Sequence, residues 1–328
     1  MCFHMLPRMA YRFRSRGFRR GRRTPFFRRR RRTGRFSRAP RRRMFRRRRT
    51  RRSVLNVSTR KLKDTMPPVV ITEGGFAGTP GVPYRMTGQL EYTFAFCPSA
   101  RDSHRTTATD FPVGQRGMYQ RSLTDVYCRG YKEIVSLASN SGANWLWRRL
   151  VVSLKNPIWK LFPSLTVQRE IPLDSDRASG QVRTMYNIGP TPEGETELAQ
   201  QVYRVIFEGS LDLDWHNVFN AKPDKRFVRV RSDRTMRLRT TNDEAYLNNY
   251  QFWDSVNHNM HYNEKESGSD IKMDPDLEAN ENTLSKFSAE GLSGAGDLWV
   301  FDFFSCGSKD AADELRFQPN GTFFWHER

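Results

Sequence analysis

The sequence predicts an all-β protein: a single antiparallel jelly-roll sandwich with long loops, preceded by a disordered arginine-rich N-terminal arm. Three observations carry this. Residues 1–63 hold 24 arginines within the first 52, then Arg60, Lys61 and Lys63, and no acid, so this segment carries +27 in a 328-residue chain whose formal net charge is +21. Residues 64–328 are mildly acidic at −6 and keep all seven tryptophans and 33 of the 41 aromatics, enough to bury a sizeable core. Along that body, short runs rich in β-branched and aromatic residues recur between Gly, Pro, Asn and Asp, and helical periodicity is sparse. Two physically different objects therefore share the chain, an arm over 1–63 and a folded body over 64–328.

Strands are expected near Leu90 to Cys97, Lys132 to Ala138, Leu146 to Leu154, Val182 to Ile188, Val202 to Phe207, Phe227 to Arg231, Thr235 to Arg239, Tyr250 to Asn257, Leu298 to Phe304 and Thr322 to Trp325. A short helix is expected over Glu195 to Gln201, just before its strand, and Thr107 to Asp125 is expected to be mostly loop. Many short strands without regularly alternating helices argue for an antiparallel sandwich, either jelly roll or immunoglobulin-like, and the length of the body favours the jelly roll.

The arm cannot form a core. Its close like charges repel, so alone in solution it is expected to be disordered and to order only against a polyanion. Arginine is used to the exclusion of lysine through residue 52. A guanidinium holds phosphate oxygens bidentately and stacks on bases, which an ammonium does not. The candidate nucleic-acid contacts are Arg28, Arg29, Arg30, Arg31, Arg32, Arg41, Arg42, Arg43, Arg46, Arg47, Arg48, Arg49, Arg51 and Arg52. Phe13, Phe18, Phe26, Phe27, Phe36 and Phe45 are interleaved with arginines, either to stack on unpaired bases or as spacers. Such a run is also a nuclear-import signal by composition.

A second basic feature lies in the body. In Val228-Arg229-Val230-Arg231 and Met236-Arg237-Leu238-Arg239 the alternation puts apolar residues on one face and arginines on the other, with Ser232-Asp233 as a turn. This predicts a hairpin with one basic face, formed by Arg229, Arg231, Arg237 and Arg239, with Arg234 near its turn. That face is either a solvated strand surface or a second nucleic-acid contact. Glu264 to Glu281 is the converse, seven acids against Lys265 and Lys272, and is expected to be a long exposed acidic loop.

Other chemistry is not indicated. No apolar run reaches the roughly 18 residues that span a bilayer, and Met1-Cys2-Phe3-His4 lacks an apolar signal core, so a cytoplasmic or nuclear protein is expected. Cys2, Cys97, Cys128 and Cys306 have no metal-ligand spacing and are expected as reduced, buried small hydrophobes. There is no phosphate-cradling glycine loop, and Gly291-Leu292-Ser293-Gly294 has the wrong spacing for a nucleophile elbow. His258 and His261 fall near a strand end, where they are expected to point to opposite faces. No enzyme activity, cofactor or metal is expected.

The motifs taken together resemble a known family. The Arg-rich start with Met9-Ala10-Tyr11-Arg12, then Ala100-Arg101-Asp102, Arg129-Gly130-Tyr131-Lys132-Glu133, Trp145-Leu146-Trp147-Arg148-Arg149, Asp214-Trp215-His216-Asn217, Ala221-Lys222 and the ending Phe324-Trp325-His326-Glu327-Arg328 are similar to genomovirus capsid proteins in the same order. Residues 1–8 stand outside the resemblance, with Met9 as a second possible translation start, and the acidic stretch is longer than the family's. The resemblance implies a jelly-roll coat protein of a small circular single-stranded DNA virus. It implies a homo-oligomeric T=1 icosahedral shell of about 60 copies with the arm inside, and entry into the host nucleus through its import machinery. It carries no catalytic residues, and it implies packing and subunit-contact roles for Trp147-Arg148-Arg149 and Asp214-Trp215. The alternative is a nonstructural nucleic-acid-binding protein of ribosomal or chromatin type.

Overall fold

The computed structural model describes residues 57–72, 75–76, 82–101, 120–162, 168–171, 180–189, 196–239, 245–262, 286–291 and 294–328. They belong to one compact unit spanning 49–328. In chain order the strands are β1 (Arg60–Met66), β2 (Pro68–Thr72), β3 (Gly75–Phe76), β4 (Tyr84–Thr87), β5 (Tyr92–Phe96), β6 (Asp125–Ser139), β7 (Trp145–Leu154), β8 (Gln168–Ile171) and β9 (Gly180–Asn187). After them come the helix α1 (Glu197–Ile206) and the strands β10 (Val228–Leu238), β11 (Leu247–His261), β12 (Asp297–Cys306) and β13 (Glu314–Glu327).

The strands form two sheets, ordered β1-β13-β6-β11 with β4 also on β13, and β10-β7-β12-β5-β9-β2-β3 with β8 on β9. Apart from the parallel pair β2 and β9, neighbours are antiparallel. Within this, β4-β13-β6-β11 faces β5-β12-β7-β10, and the chain changes sheet at every step among these eight strands except from β7 to β10. That connectivity is a jelly roll. The fold expected from the sequence is therefore the one observed.

Between the sheets lies a core that includes Phe94, Phe96, Tyr131, Trp145, Trp147, Phe304, Phe317 and Trp325. A second cluster covers the other face of the β7-β12 sheet, where Ala199, Val202, Tyr203 and Ile206 of α1 pack on Leu150, Val152, Phe301 and Phe303. β7 and β12 are thus buried on both faces, which is why apolar residues occupy both faces of each, with Arg149 and Asp302 paired to one another among them. Cys97, Cys128 and Cys306 are buried and unbridged, as expected.

Three expectations are corrected. Val202 to Phe207 is not a strand, because α1 runs on to Ile206, opened by Thr196, whose hydroxyl accepts from the Ala199 amide at 3.1 Å. The positions 199, 202, 203 and 206 make one helical stripe, which outweighs the β-branched residues in it. The hairpin over 227–239 is one strand, β10, paired along its length with β7, and Ser232 and Asp233 pair with Val151 and Leu150 rather than turning. The boundary at 63/64 falls inside β1, whose residues from Arg60 onward pair with the last strand, β13.

Candidate nucleic-acid interface

The arm arginines, Arg28 to Arg32, Arg41 to Arg43, Arg46 to Arg49, Arg51 and Arg52, lie outside the described residues, as do the interleaved phenylalanines and the acidic stretch Glu264 to Glu281. Arg229, Arg231, Arg237 and Arg239 are described, and they do not share a face. The register between β10 and β7 shifts between Val230 and Ser232, so Arg231 is an extra residue and the strand's two faces exchange there. Before the bulge, Val228 and Val230 pack with the α1-side cluster. After it, Met236 and Leu238 pack into the inter-sheet core. Arg229 accordingly lies on the inter-sheet side, opposite Ser153, while Arg237 lies opposite Leu146 on the α1 side and Arg239 follows the strand's last residue.

The four side chains consequently have different work. Arg231 is half-buried and reaches across to the facing sheet, its Nε donating to Ser153 Oγ at 2.9 Å and its Nη1 to the Val256 carbonyl at 3.3 Å. Burial, and then the nearby Arg229 cation, push its pKa below the ordinary guanidinium value. It is a structural tie between edge strands. Asp233, placed by the bulge on the α1 side, is held by Arg148 through two hydrogen bonds of 2.9 and 2.7 Å. Arg229 is exposed and lines an open cleft of about 700 Å3 with Lys155, Lys225 and Arg226, and none of the described residues lining that cleft is a carboxylate. Arg226 is engaged by Asp224 at 2.7 Å, and hydrogen bonding from Arg226 holds the Asp224 carboxyl below its usual range. Beside it, Phe227 is 58% exposed. A cationic cleft with an exposed ring at its lip can bind phosphate and stack a base. Lys225-Arg226-Phe227 completes that combination, and its basic-aromatic adjacency is legible in the sequence.

The motif residues that carry the family resemblance serve packing. Trp147 Nε1 donates to Asp302 Oδ1 at 2.9 Å, and Arg148 donates to the Ala221 carbonyl at 2.8 Å and to that of Val218. Asp214 Oδ2 accepts from the Ser210 amide at 2.7 Å, while Trp215 Nε1 donates to the Glu208 carbonyl at 3.1 Å and its ring packs on Tyr203 and Phe207. Arg101 pairs with Asp64 at 2.6 Å beneath the rings of Phe323 and Trp325. His258 and His261 lie on β11, where His261 contacts Asp125. Among the described residues no cluster of His, Cys, Asp or Glu is arranged to hold a metal, and no helix is long and apolar enough to cross a membrane. The fold and cleft thus define an all-β jelly-roll protein with a cationic recess at one sheet edge. No protein-family model matches the chain, and no curated protein matches it either.

Proposed function

We propose that the chain is the coat protein of a small circular single-stranded DNA virus, assembling into a closed T=1 shell of about 60 copies and packaging the genome through its arginine-rich arm. The observation that supports this most is the joining of a polycation of +27 to a −6 body with jelly-roll connectivity. Jelly rolls recur in viral shells because two tightly packed sheets leave their loops at the rims, free to meet neighbouring copies. The charge matches the cargo: about 60 arms supply about 1,600 positive charges, enough for about 1,600 phosphates at one per nucleotide. That suits a genome of a few kilobases. The same arginine run would serve nuclear entry, so virion and host nucleus are the expected locations. The bodies, mildly acidic, keep the shell soluble.

Electron microscopy of the expressed full chain, with the 260/280 nm absorbance ratio of whatever particles are recovered, tests this. Uniform spherical shells with a nucleic-acid-rich ratio are expected. A monodisperse monomer bound to RNA or DNA at physiological salt would replace the coat function with that of a nonstructural binding protein.

A further inference from the structure

The two outward faces of the sandwich are not equivalent. The face of the β7-β12 sheet is covered by α1 and the residues around Trp215. Among the described residues nothing packs over the outer face of the β1-β13-β6-β11 sheet. Its side chains follow from the pairing. Successive rows read Lys61, His326, Tyr127; Lys63, Phe324, Gly130, Ser255; Thr65, Thr322, Lys132, Trp253; Asn320, Ile134, Gln251; Gln318, Ser136, Asn249; and Arg85, Arg316, Ala138, Leu247. Arg129 enters at the bulge beside the first two rows. Six cations therefore share this face, and its two carboxylates lie at its ends, Asp125 opposite His261 beyond the first row and Glu314 opposite Thr87 beyond the last.

Lys61, Lys63, Arg85, Lys132 and Arg316 are exposed and none is in an ion pair among the described residues. Arg129 hydrogen-bonds Asn257 and sits 6.0 Å from the centre of the Trp253 ring. Trp253 is 46% exposed and meets Phe324 edge-on at 5.7 Å. Its diagonal neighbour is Gly130, where a Cβ would come to 3.0 Å from the ring, so the glycine leaves room for it. Burial, then Lys61 and Arg129, lower the His326 pKa, as a locally positive surface requires.

We infer that this face is a stacking platform for unpaired bases of a single-stranded nucleic acid, with Trp253 and Phe324 receiving bases and Lys63, Lys132 and Arg316 the flanking phosphates. This rests on the packaging function proposed above and adds a folded contact to the arm. A sheet that presents exposed rings among lysines and arginines takes bases by their π-faces and the backbone by charge, and a duplex offers it only the backbone. Lys61 and Lys63, the last cations of the N-terminal polycation, lie in β1 and face outward on it. Self-pairing of the face across a two-fold axis near Trp253 would set cations against cations, its acids lying only at the two ends.

The full-length protein is the test material, with dT30 and a duplex of equal length as probes. Binding is measured by fluorescence anisotropy against salt, and contacts are mapped by photo-crosslinking 5-iodouracil-substituted dT30. Expected are a cross-link at Trp253, a loss of about tenfold in dT30 affinity for Trp253→Ser with duplex affinity unchanged, and recovery in Trp253→Phe. Replacing Lys63, Lys132 and Arg316 together by Ser should reduce the salt slope by about 2. Cross-links confined to residues 1–52 with unchanged slope and affinity would overturn the platform, as would variants that bind normally but no longer form particles, which would make the face a subunit contact. If the parent protein shows no salt-dependent dT30 binding, the packaging function falls, and the platform with it.

Discussion

Arg149 lies fully between the sheets, its Nη1 3.0 Å from Asp302 Oδ2 and its Nη2 against Glu133, with the Phe252 ring 4.6 Å away. Burial disfavours its charge, but Asp302 and Glu133 outweigh that and raise its pKa above the ordinary value. Trp147 and Tyr131 complete the network, donating to Asp302 at 2.9 Å and to Glu133 at 2.7 Å. Asp297 is the contrasting buried carboxyl. It accepts from the Ser288 amide at 3.0 Å and the Ser99 hydroxyl at 3.3 Å, and no cation pairs with it among the described residues. Burial pushes its pKa up to about 6, against the hydrogen bonds that oppose the rise. An acid whose folded pKa lies above its unfolded value of about 3.9 keeps its proton longer in the folded state. Its contribution to stability is then greatest below about pH 4, falls as pH rises to about 6, and is level beyond, a loss of about 3 kcal/mol. Asp297→Asn keeps an acceptor for the Ser288 amide but removes the titration. The difference in urea-unfolding free energy between variant and parent should move by about 2 kcal/mol in the variant's favour between pH 4 and pH 7. A difference that does not change with pH would refute this assignment.

At the scale of elements, β10 shows what one extra residue does. Val228, Val230, Met236 and Leu238 are all even-numbered, so unbroken alternation would put them on one face, yet the bulge at Arg231 divides them between two cores. The sequence carries the alternation on both sides of the bulge and nothing that marks it. Arg231→Ser should therefore cost about 1–2 kcal/mol of stability, since it removes charged hydrogen bonds to Ser153 and Val256, and leave DNA binding unchanged. Arg229→Ser with Lys225→Ser should do the reverse, reducing the salt slope of single-strand binding by about 1.4 with no shift in the thermal midpoint. Equal effects from the two substitutions would return all four arginines to a common role. Other elements were legible to the extent that both their faces are buried: β5, β7 and β12 appear in the sequence as segments dense in aromatic and aliphatic residues near their observed limits. The sheet of β1, β6, β11 and β13 was only partly visible, because its outer face alternates Lys, Arg, Gln, Asn and Thr with core residues and so dilutes the apolar signal. The same dilution hid Lys63, Lys132 and Trp253 as neighbours, since only the pairing register brings them together.

For the whole molecule, the question is where the polycation ends and the folded body begins. Composition places the change at the first acid, Asp64, but the fold begins earlier, because seven residues from Arg60 pair with Gly321 to Glu327 along β13. Leu62 packs against the inter-sheet core, and Asp64 meets the buried Arg101. Two truncations separate arm from body. Removing residues 1–52 takes away 24 of the 27 cations and none of these contacts, so the thermal midpoint should be unchanged while particles lose their nucleic acid and their 260/280 nm ratio falls to that of protein. Removing residues 1–66 strips β1 from the edge of β13 and removes the buried contact of Asp64 with Arg101 and the packing of Leu62. Losing these together should show as loss of soluble protein or a markedly lower midpoint. If both truncations melt alike, β1 contributes nothing to the body. If the shorter one already destabilises it, residues before Val54 belong to the fold, and the division of labour between condensing arm and folded body has to be redrawn upstream.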